Sequence, residues 1–79
     1  MKIVVKAFGI TKDIIGASQL TMYCEGNTVD ALRQQLSAQY PALAGLRSMM
    51  IAVNEAYAAE HEILNDNDTV ALIPPVSGG

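Results

Sequence analysis

The sequence has 79 residues, of which 51% are hydrophobic and 16% charged, and its formal net charge is −3. A chain of this length forms one domain around one small core, and this composition excludes intrinsic disorder as the main description. It has no cluster of Lys or Arg and no apolar run near the ~20 residues of a membrane span. We therefore expect protein partners, with no nucleic acid and no membrane.

The N-terminus and the single thiol indicate the compartment and exclude simple metal chemistry. Lys6 interrupts the stretch that would be apolar in a signal peptide, so the protein is predicted to be cytoplasmic. Cys24 is the only cysteine, so no intrachain disulfide can form, and one thiol with His61 cannot make a metal site. Cys24 is predicted to be a small buried hydrophobe and His61 a solvated loop residue.

The first part of the chain predicts a β-hairpin. Residues 2–8 alternate with apolar side chains on both faces, which suits a central strand, and residues 19–24 alternate as a half-buried strand. Residues 11–16 between them predict a helical turn ended by Gly16. The two strands are predicted to be antiparallel neighbours.

The middle of the chain predicts one main helix. Thr28 is a plausible N-cap, and Asp30 in the first turn interacts favourably with the helix dipole. The helix is expected to end at Tyr40, because Pro41 disfavours a helical residue before it. Apolar side chains recur on one face at helical spacing, and this stripe must cover a sheet. They are Val29, Leu32, Leu36 and Tyr40.

The last third predicts strands at residues 49–53 and 69–73, with a turn at Asn54 and Glu55 and a short edge strand at 57–59. Asp66 and Asp68 could suggest calcium, but the glycine and distal glutamate of an EF-hand loop are missing, which favours a turn.

The order of elements predicts the fold class. The final strand is apolar on both faces, so it is expected to be central, beside and parallel to the first strand. A hairpin, a helix and two or three further strands then form an α+β β-grasp roll, a mixed sheet of four to five strands with one main helix.

The chain is similar, along nearly its whole length, to the ubiquitin-like sulfur carriers that form the small subunits of molybdopterin synthases. The resemblance rests on Val29-x-x-Leu32-x-x-x-Leu36-x-x-x-Tyr40-Pro41, on Ala52-Val53-Asn54, and on the run from Leu64 through Leu72-Ile73-Pro74-Pro75-Val76-Ser77-Gly78-Gly79. The family often has glycine after Ala-Val-Asn, where this chain has Glu55. Asn54 can itself adopt a left-handed conformation, so a turn remains possible and its type stays open.

The chain end predicts a β-grasp domain at residues 1–75 and a flexible tail at 76–79. Pro74 and Pro75 have no amide hydrogen, so they end the sheet ladder and hold the backbone extended. Val76 and Ser77 lengthen the tail, so that its end can reach further from the domain. Gly78 and Gly79 have no Cβ and could pass a narrow channel. By the resemblance, Pro75, Val76, Ser77 and Gly78 insert into a partner.

The tail's chemistry centres on Gly79. An α-carboxyl has a reference pKa of ~3.3–3.7, so near neutral pH it is an anion and a poor electrophile. The resemblance implies that a ubiquitin-activating-like partner uses ATP to adenylate Gly79 and that sulfur from a persulfide donor replaces AMP, giving a thiocarboxylate. The large synthase subunit would then pass this sulfur to a cyclic pyranopterin precursor, forming the dithiolene of molybdopterin. The chain itself would bind no cofactor and would not be active alone.

The candidate partner surface is the sheet face away from the helix, near the tail. Its residues would be Val4, Phe8, Ala71 and Ile73, although residues 11–16 could equally cover them.

Three functions stay open. The chain could be the synthase subunit, a sulfur carrier for thiamine thiazole formation, or a protein modifier or interaction domain. The run Ile73-Pro74-Pro75-Val76-Ser77 argues against the second.

Overall fold

The computed structural model describes residues 1–46 and 48–74. Predictions made for Pro75, Val76, Ser77, Gly78 and Gly79 therefore lie outside the described residues. In chain order the elements are β1 Lys2–Ala7, α1 Ile10–Ile15, β2 Gln19–Tyr23, α2 Val29–Gln39, α3 Pro41–Ala44, β3 Met50–Val53, β4 Ala56–Tyr57 and β5 Thr69–Ile73.

The strands form a five-stranded mixed sheet in the order β2-β1-β5-β3-β4. β1 and β5 are parallel, with Val5 beside Val70 and Ala7 beside Leu72. β2 is antiparallel to β1, and β3 is antiparallel to both β4 and β5. The predicted hairpin, the central last strand and the β-grasp arrangement are confirmed.

The core lies between this sheet and α2. Val29, Leu32 and Leu36 of α2 are fully buried. Alternate residues of the central strands face them, as the period of two requires. Those residues are Ile3 and Val5 of β1 and Val70 and Leu72 of β5, all with no exposed surface. Since burying one such side chain contributes about 1.5–3 kcal/mol, the pairing of α2 with the sheet dominates the stability of the domain.

The start of α2 is held by side-chain and backbone acceptors. The Thr28 hydroxyl accepts a hydrogen bond from the Ala31 amide at 3.1 Å, which confirms the predicted N-cap. Two further amides of the first turn, those of Val29 and Asp30, donate to carbonyls of the loop before β5, at 3.0 and 2.9 Å. The first turn therefore also anchors that loop.

Element boundaries differ from the predictions at strand and helix ends. β1 ends at Ala7 rather than at residue 8, β3 begins at Met50 rather than at 49, and β4 occupies Ala56–Tyr57 rather than 57–59. At Met49 and Met50 the sequence pattern is ambiguous because both are apolar. The structure buries Met49 and exposes Met50.

The short helix α3 was not predicted. α2 ends at Gln39, Tyr40 is its C-cap, and Pro41 is the first residue of α3. Proline at a first helical position loses nothing, because that amide has no intrahelical partner. Pro41 therefore ends one helix and begins the next, and α3 brings Leu43 into the core.

Candidate functional site

The site begins where the chain leaves the sheet. β5 ends at Ile73, and Pro74 is the last residue that the structure describes there. Because β1 and β5 are parallel neighbours, both end at the same edge of the sheet. The turn after β1 consequently lies beside Pro74, and a Cβ on Gly9 would be 3.1 Å from the Pro74 Cγ atom.

The buried Thr11 holds this turn. Its hydroxyl oxygen accepts a hydrogen bond from the Phe8 amide at 2.9 Å, and the hydroxyl donates to the Phe8 carbonyl at 2.6 Å. The Leu72 carbonyl of β5 is 3.5 Å from the same oxygen. One fully buried hydroxyl thus links α1 to the ends of both strands, a role that sequence reasoning missed because its partners include a residue 61 positions away.

The outer face, defined as the sheet face opposite α2, contains the candidate partner residues. Val4, Ala71 and Ile73 are half-buried there, and Phe8, directly after β1, is 48% exposed. Ile14 and Ile15 of α1 pack against the core cluster. Of the four predicted residues, Phe8, Ala71 and Ile73 lie towards the end of the sheet where the chain leaves it, whereas Val4 pairs with Thr69 at the opposite end of β5.

The outer face extends further than the sequence indicated. Strand register places Met50 beside Ile73, and Ala52 between Ala71 and Tyr57. Met50 and Tyr57 are exposed large side chains. This extension could not be read from the sequence because the cross-strand register is set by the fold.

Two lysines border the apolar surface. Lys6 lies beside Ala71 in the strand register, and Lys6 and Lys12 line a shallow groove of about 460 Å³ next to Phe8 and Gly9. Two polar residues, Ser18 and Gln19, also line this groove.

The turn between β3 and β4 contains Glu55, the residue at which the sequence departs from the resembled family, and the structure shows which type of turn forms there. Asn54 and Glu55 both have positive φ, 49° and 72°, as a type I′ hairpin turn requires. Asn54 also binds the start of β5, since its Oδ1 accepts from the Thr69 amide at 3.1 Å and its Nδ2 donates to Asp68 at 3.0 Å. The turn therefore forms with glutamate in the position that glycine prefers.

The remaining candidate residues have structural positions. Cys24 is buried and His61 exposed, as predicted. Within residues 1–46 and 48–74, no group of three or more His, Cys, Asp or Glu side chains could hold a metal ion. In the same part of the chain, no helix is long and apolar enough to cross a membrane.

The parallel β1–β5 pair, the helix across one face and the tail leaving the central strand define a small ubiquitin-like β-grasp protein. Residues 5–79 match the ThiS family, and the chain belongs to that family.

Curated relatives of the chain are named as sulfur carrier subunits, whereas the solved structures with this fold also include SAMP1 of Haloferax volcanii, with a TM-score of 0.83 and 26% identity over 100% of both chains. The chain is 32% identical over 81 residues to a molybdopterin synthase sulfur carrier subunit of Arabidopsis thaliana, covering 100% of this chain and 84% of the relative. It superposes with a TM-score of 0.87 and 26% identity on a Pyrococcus furiosus protein provisionally called molybdopterin converting factor subunit 1, covering 96% of this chain and 99% of that one. A Helicobacter pylori protein, solved in the complex of subunits 1 and 2 of molybdopterin-converting factor, matches with a TM-score of 0.70 and 28% identity over 100% of both chains. The resemblance noted in the sequence is thus confirmed.

Proposed function

We propose that this chain is the sulfur carrier subunit of a molybdopterin synthase and that Gly79 carries the sulfur as a thiocarboxylate. The observation that carries the proposal is the match to a sulfur carrier subunit over the full length of the chain. The fold supports it, since the central strand β5 leads directly to the tail.

The proposed chemistry activates the Gly79 carboxylate, which is otherwise a poor electrophile. In an adenylating partner the carboxylate attacks the α-phosphorus of ATP, pyrophosphate leaves, and a mixed anhydride with AMP forms. A persulfide sulfur then attacks the carbonyl carbon and AMP leaves. A thiol reduces the remaining S–S bond, which yields the thiocarboxylate.

The second half of the proposed cycle takes place in the large subunit. The thiocarboxylate sulfur is transferred to a cyclic pyranopterin precursor, where it becomes part of the dithiolene, and water restores the Gly79 carboxylate. The domain supplies no acid, base or cofactor in this scheme. Its role is to dock and to direct the tail, with Pro75, Val76, Ser77 and Gly78 lying in the partner.

The proposed docking surface for both partners is the part of the outer face formed by Val4, Phe8, Ala71 and Ile73. These side chains are apolar and retain exposed surface; Phe8, Ala71 and Ile73 lie near the tail exit, and Val4 lies further back along β1 on the same face. Exposed apolar surface of this kind on a small domain marks an interaction site. We place the protein in the cytoplasm, where ATP is available to the adenylating partner.

The test follows the mass of the intact chain. Incubation with the cognate adenylating enzyme, ATP and a sulfur donor is expected to give the mass gain of one oxygen-to-sulfur exchange at Gly79. A chain that lacks Gly79 is the control. It should show no gain, yet its melting temperature should match that of the full chain. No mass gain on the full chain would refute the proposal.

A second step of the test identifies the molecule that accepts the sulfur from the loaded chain. Adding the large subunit and the pyranopterin precursor to the loaded chain should form the dithiolene product. A loaded chain that forms no product would be a carrier for another acceptor, and a mass gain at an acceptor lysine of another protein would indicate a modifier.

A further inference from the structure

Gly9 has a backbone conformation and an environment that both disfavour a side chain. Its φ of 56° and ψ of −132° lie in a region that glycine reaches readily and other residues do not. A Cβ there would also lie 3.1 Å from the Pro74 Cγ atom, closer than side chains normally pack. Gly16 provides the comparison. Its φ is likewise positive, at 84°, but a Cβ on it would have no atom within 4 Å.

The position of Gly9 relative to Pro74 is fixed from two sides. Ala7 and Leu72 are partners in the parallel β1–β5 pair, so the two strand ends cannot slide independently. The Thr11 hydroxyl holds the Phe8 backbone, and the Lys12 amide donates to the Gly9 carbonyl at 3.1 Å. The backbone at Gly9 is therefore held in place close to the ring of Pro74.

A displacement of Pro74 acts at the start of the tail. Five residues follow Pro74, and a chain of that length can reach at most about 17 Å. The ring of Pro74 restricts its own φ, so a displacement of the ring changes the direction of the chain that follows. A misplacement of reacting groups by about 1 Å can lower the rate of a reaction about 100-fold.

We propose that Gly9 is a positioning residue for sulfur transfer: the space left by its missing Cβ seats Pro74 and sets the direction in which the chain leaves the domain. The inference rests on the proposed function, since it concerns delivery of the sulfur on Gly79. It adds a residue that is distant in sequence from the tail and touches neither sulfur nor acceptor.

The test compares Gly9→Ala with Gly16→Ala, which introduces a Cβ at positive φ without the contact to Pro74. Each variant is first loaded with sulfur, and equal loading is checked by intact mass. Single-turnover transfer to the pyranopterin precursor is then measured at saturating large subunit, together with the Kd of the two subunits. For Gly9→Ala we expect a transfer rate about tenfold lower with Kd within about twofold of wild type. For Gly16→Ala we expect both quantities within about twofold of wild type.

A double-mutant cycle assigns the effect to the contact. Pro74→Ala removes the Cγ atom that a Cβ at position 9 would meet, so in this background Gly9→Ala should lower the rate only about twofold. A wild-type transfer rate in Gly9→Ala, or an equal loss with and without Pro74, would overturn the inference.

Separate controls distinguish a loss of folding from a loss of sulfur transfer. Gly9→Ala is expected to lower the melting temperature by about 4–8 °C or more, because alanine is strained at this φ. If that variant does not fold, Pro74→Gly serves instead, since Pro74 lies outside the strands. It should transfer about tenfold more slowly at unchanged melting temperature. A wild-type rate for Pro74→Gly would also overturn the inference. If wild-type protein gains no mass or forms no product, the proposed function itself fails.

Discussion

At the scale of one residue, Glu55 has a strained backbone conformation, and interactions of neighbouring residues keep it in that conformation. Its φ of 72° places the Cβ close to its own backbone, a conformation that disfavours residues other than glycine. The turn forms because Asn54, which tolerates positive φ, is also tied to Thr69 and Asp68 of the segment leading into β5. The hairpin is thus fixed by contacts 14 and 15 residues away rather than by Glu55.

Glu55→Gly is therefore expected to stabilise the domain. Relief of strain at positive φ outweighs the added flexibility of the unfolded chain, for a net gain of about 0.5–1 kcal/mol in the free energy of unfolding. Thermal melts should show a rise of about 2–8 °C. Glu55→Gln is the matched control, since it removes the charge and keeps the strain, and it should stay near wild type. Equal stabilisation by both variants would mean that charge, not backbone conformation, is responsible.

At the scale of elements, α2 was predictable because its signals are local. The cap at Thr28, the apolar stripe and the stop before Pro41 all lie within one stretch of sequence. α3 was missed because Pro41 was interpreted only as the residue that ends α2. The surrounding sequence did not show that Pro41 is also the first residue of a new helix.

The cap gives a prediction for α2. Thr28→Ala should lower the free energy of unfolding by about 1 kcal/mol, because the Ala31 amide loses its acceptor. Thr28→Ser retains the hydroxyl and should lower the free energy of unfolding by only a few tenths of a kcal/mol. Urea unfolding of the two variants, with unchanged m-value, measures the difference. Equal losses for alanine and serine would assign the effect to the methyl group rather than to the cap.

At the scale of the whole molecule, the fold places residues that no sequence pattern connects. The β-grasp order followed from the apolar periods and from a last strand apolar on both faces, since these alone decide which strands are central. The contact between Gly9 and Pro74 joins positions 65 residues apart, and Gly26 passes so close to Ala31 that a Cβ would be 2.4 Å from the Ala31 Cβ. Such contacts depend on three-dimensional packing, so they could not be predicted from the sequence.

The outer face gives a prediction for the assembled protein. Phe8 and Tyr23 are both exposed aromatic residues, 48% and 73%, but they stand at opposite ends of the β1–β2 hairpin. Phe8 adjoins the tail exit, whereas Tyr23 pairs with Lys2 at the far end of β1. If the large subunit docks at the tail exit, only Phe8 belongs to the interface.

Phe8→Ala should therefore weaken binding to the large subunit about 10- to 100-fold, as expected when an aromatic anchor of an interface is truncated. Its melting temperature should change little, because the half-exposed ring contributes less to the core than a buried one and the backbone bonds to Thr11 remain. Tyr23→Ala removes a similar ring and should leave binding within about twofold of wild type. Titration calorimetry with the purified large subunit measures both. Equal weakening by the two variants would show that the docking surface covers the whole outer face, and weakening by Tyr23→Ala alone would place it at the opposite end of the sheet, away from the tail.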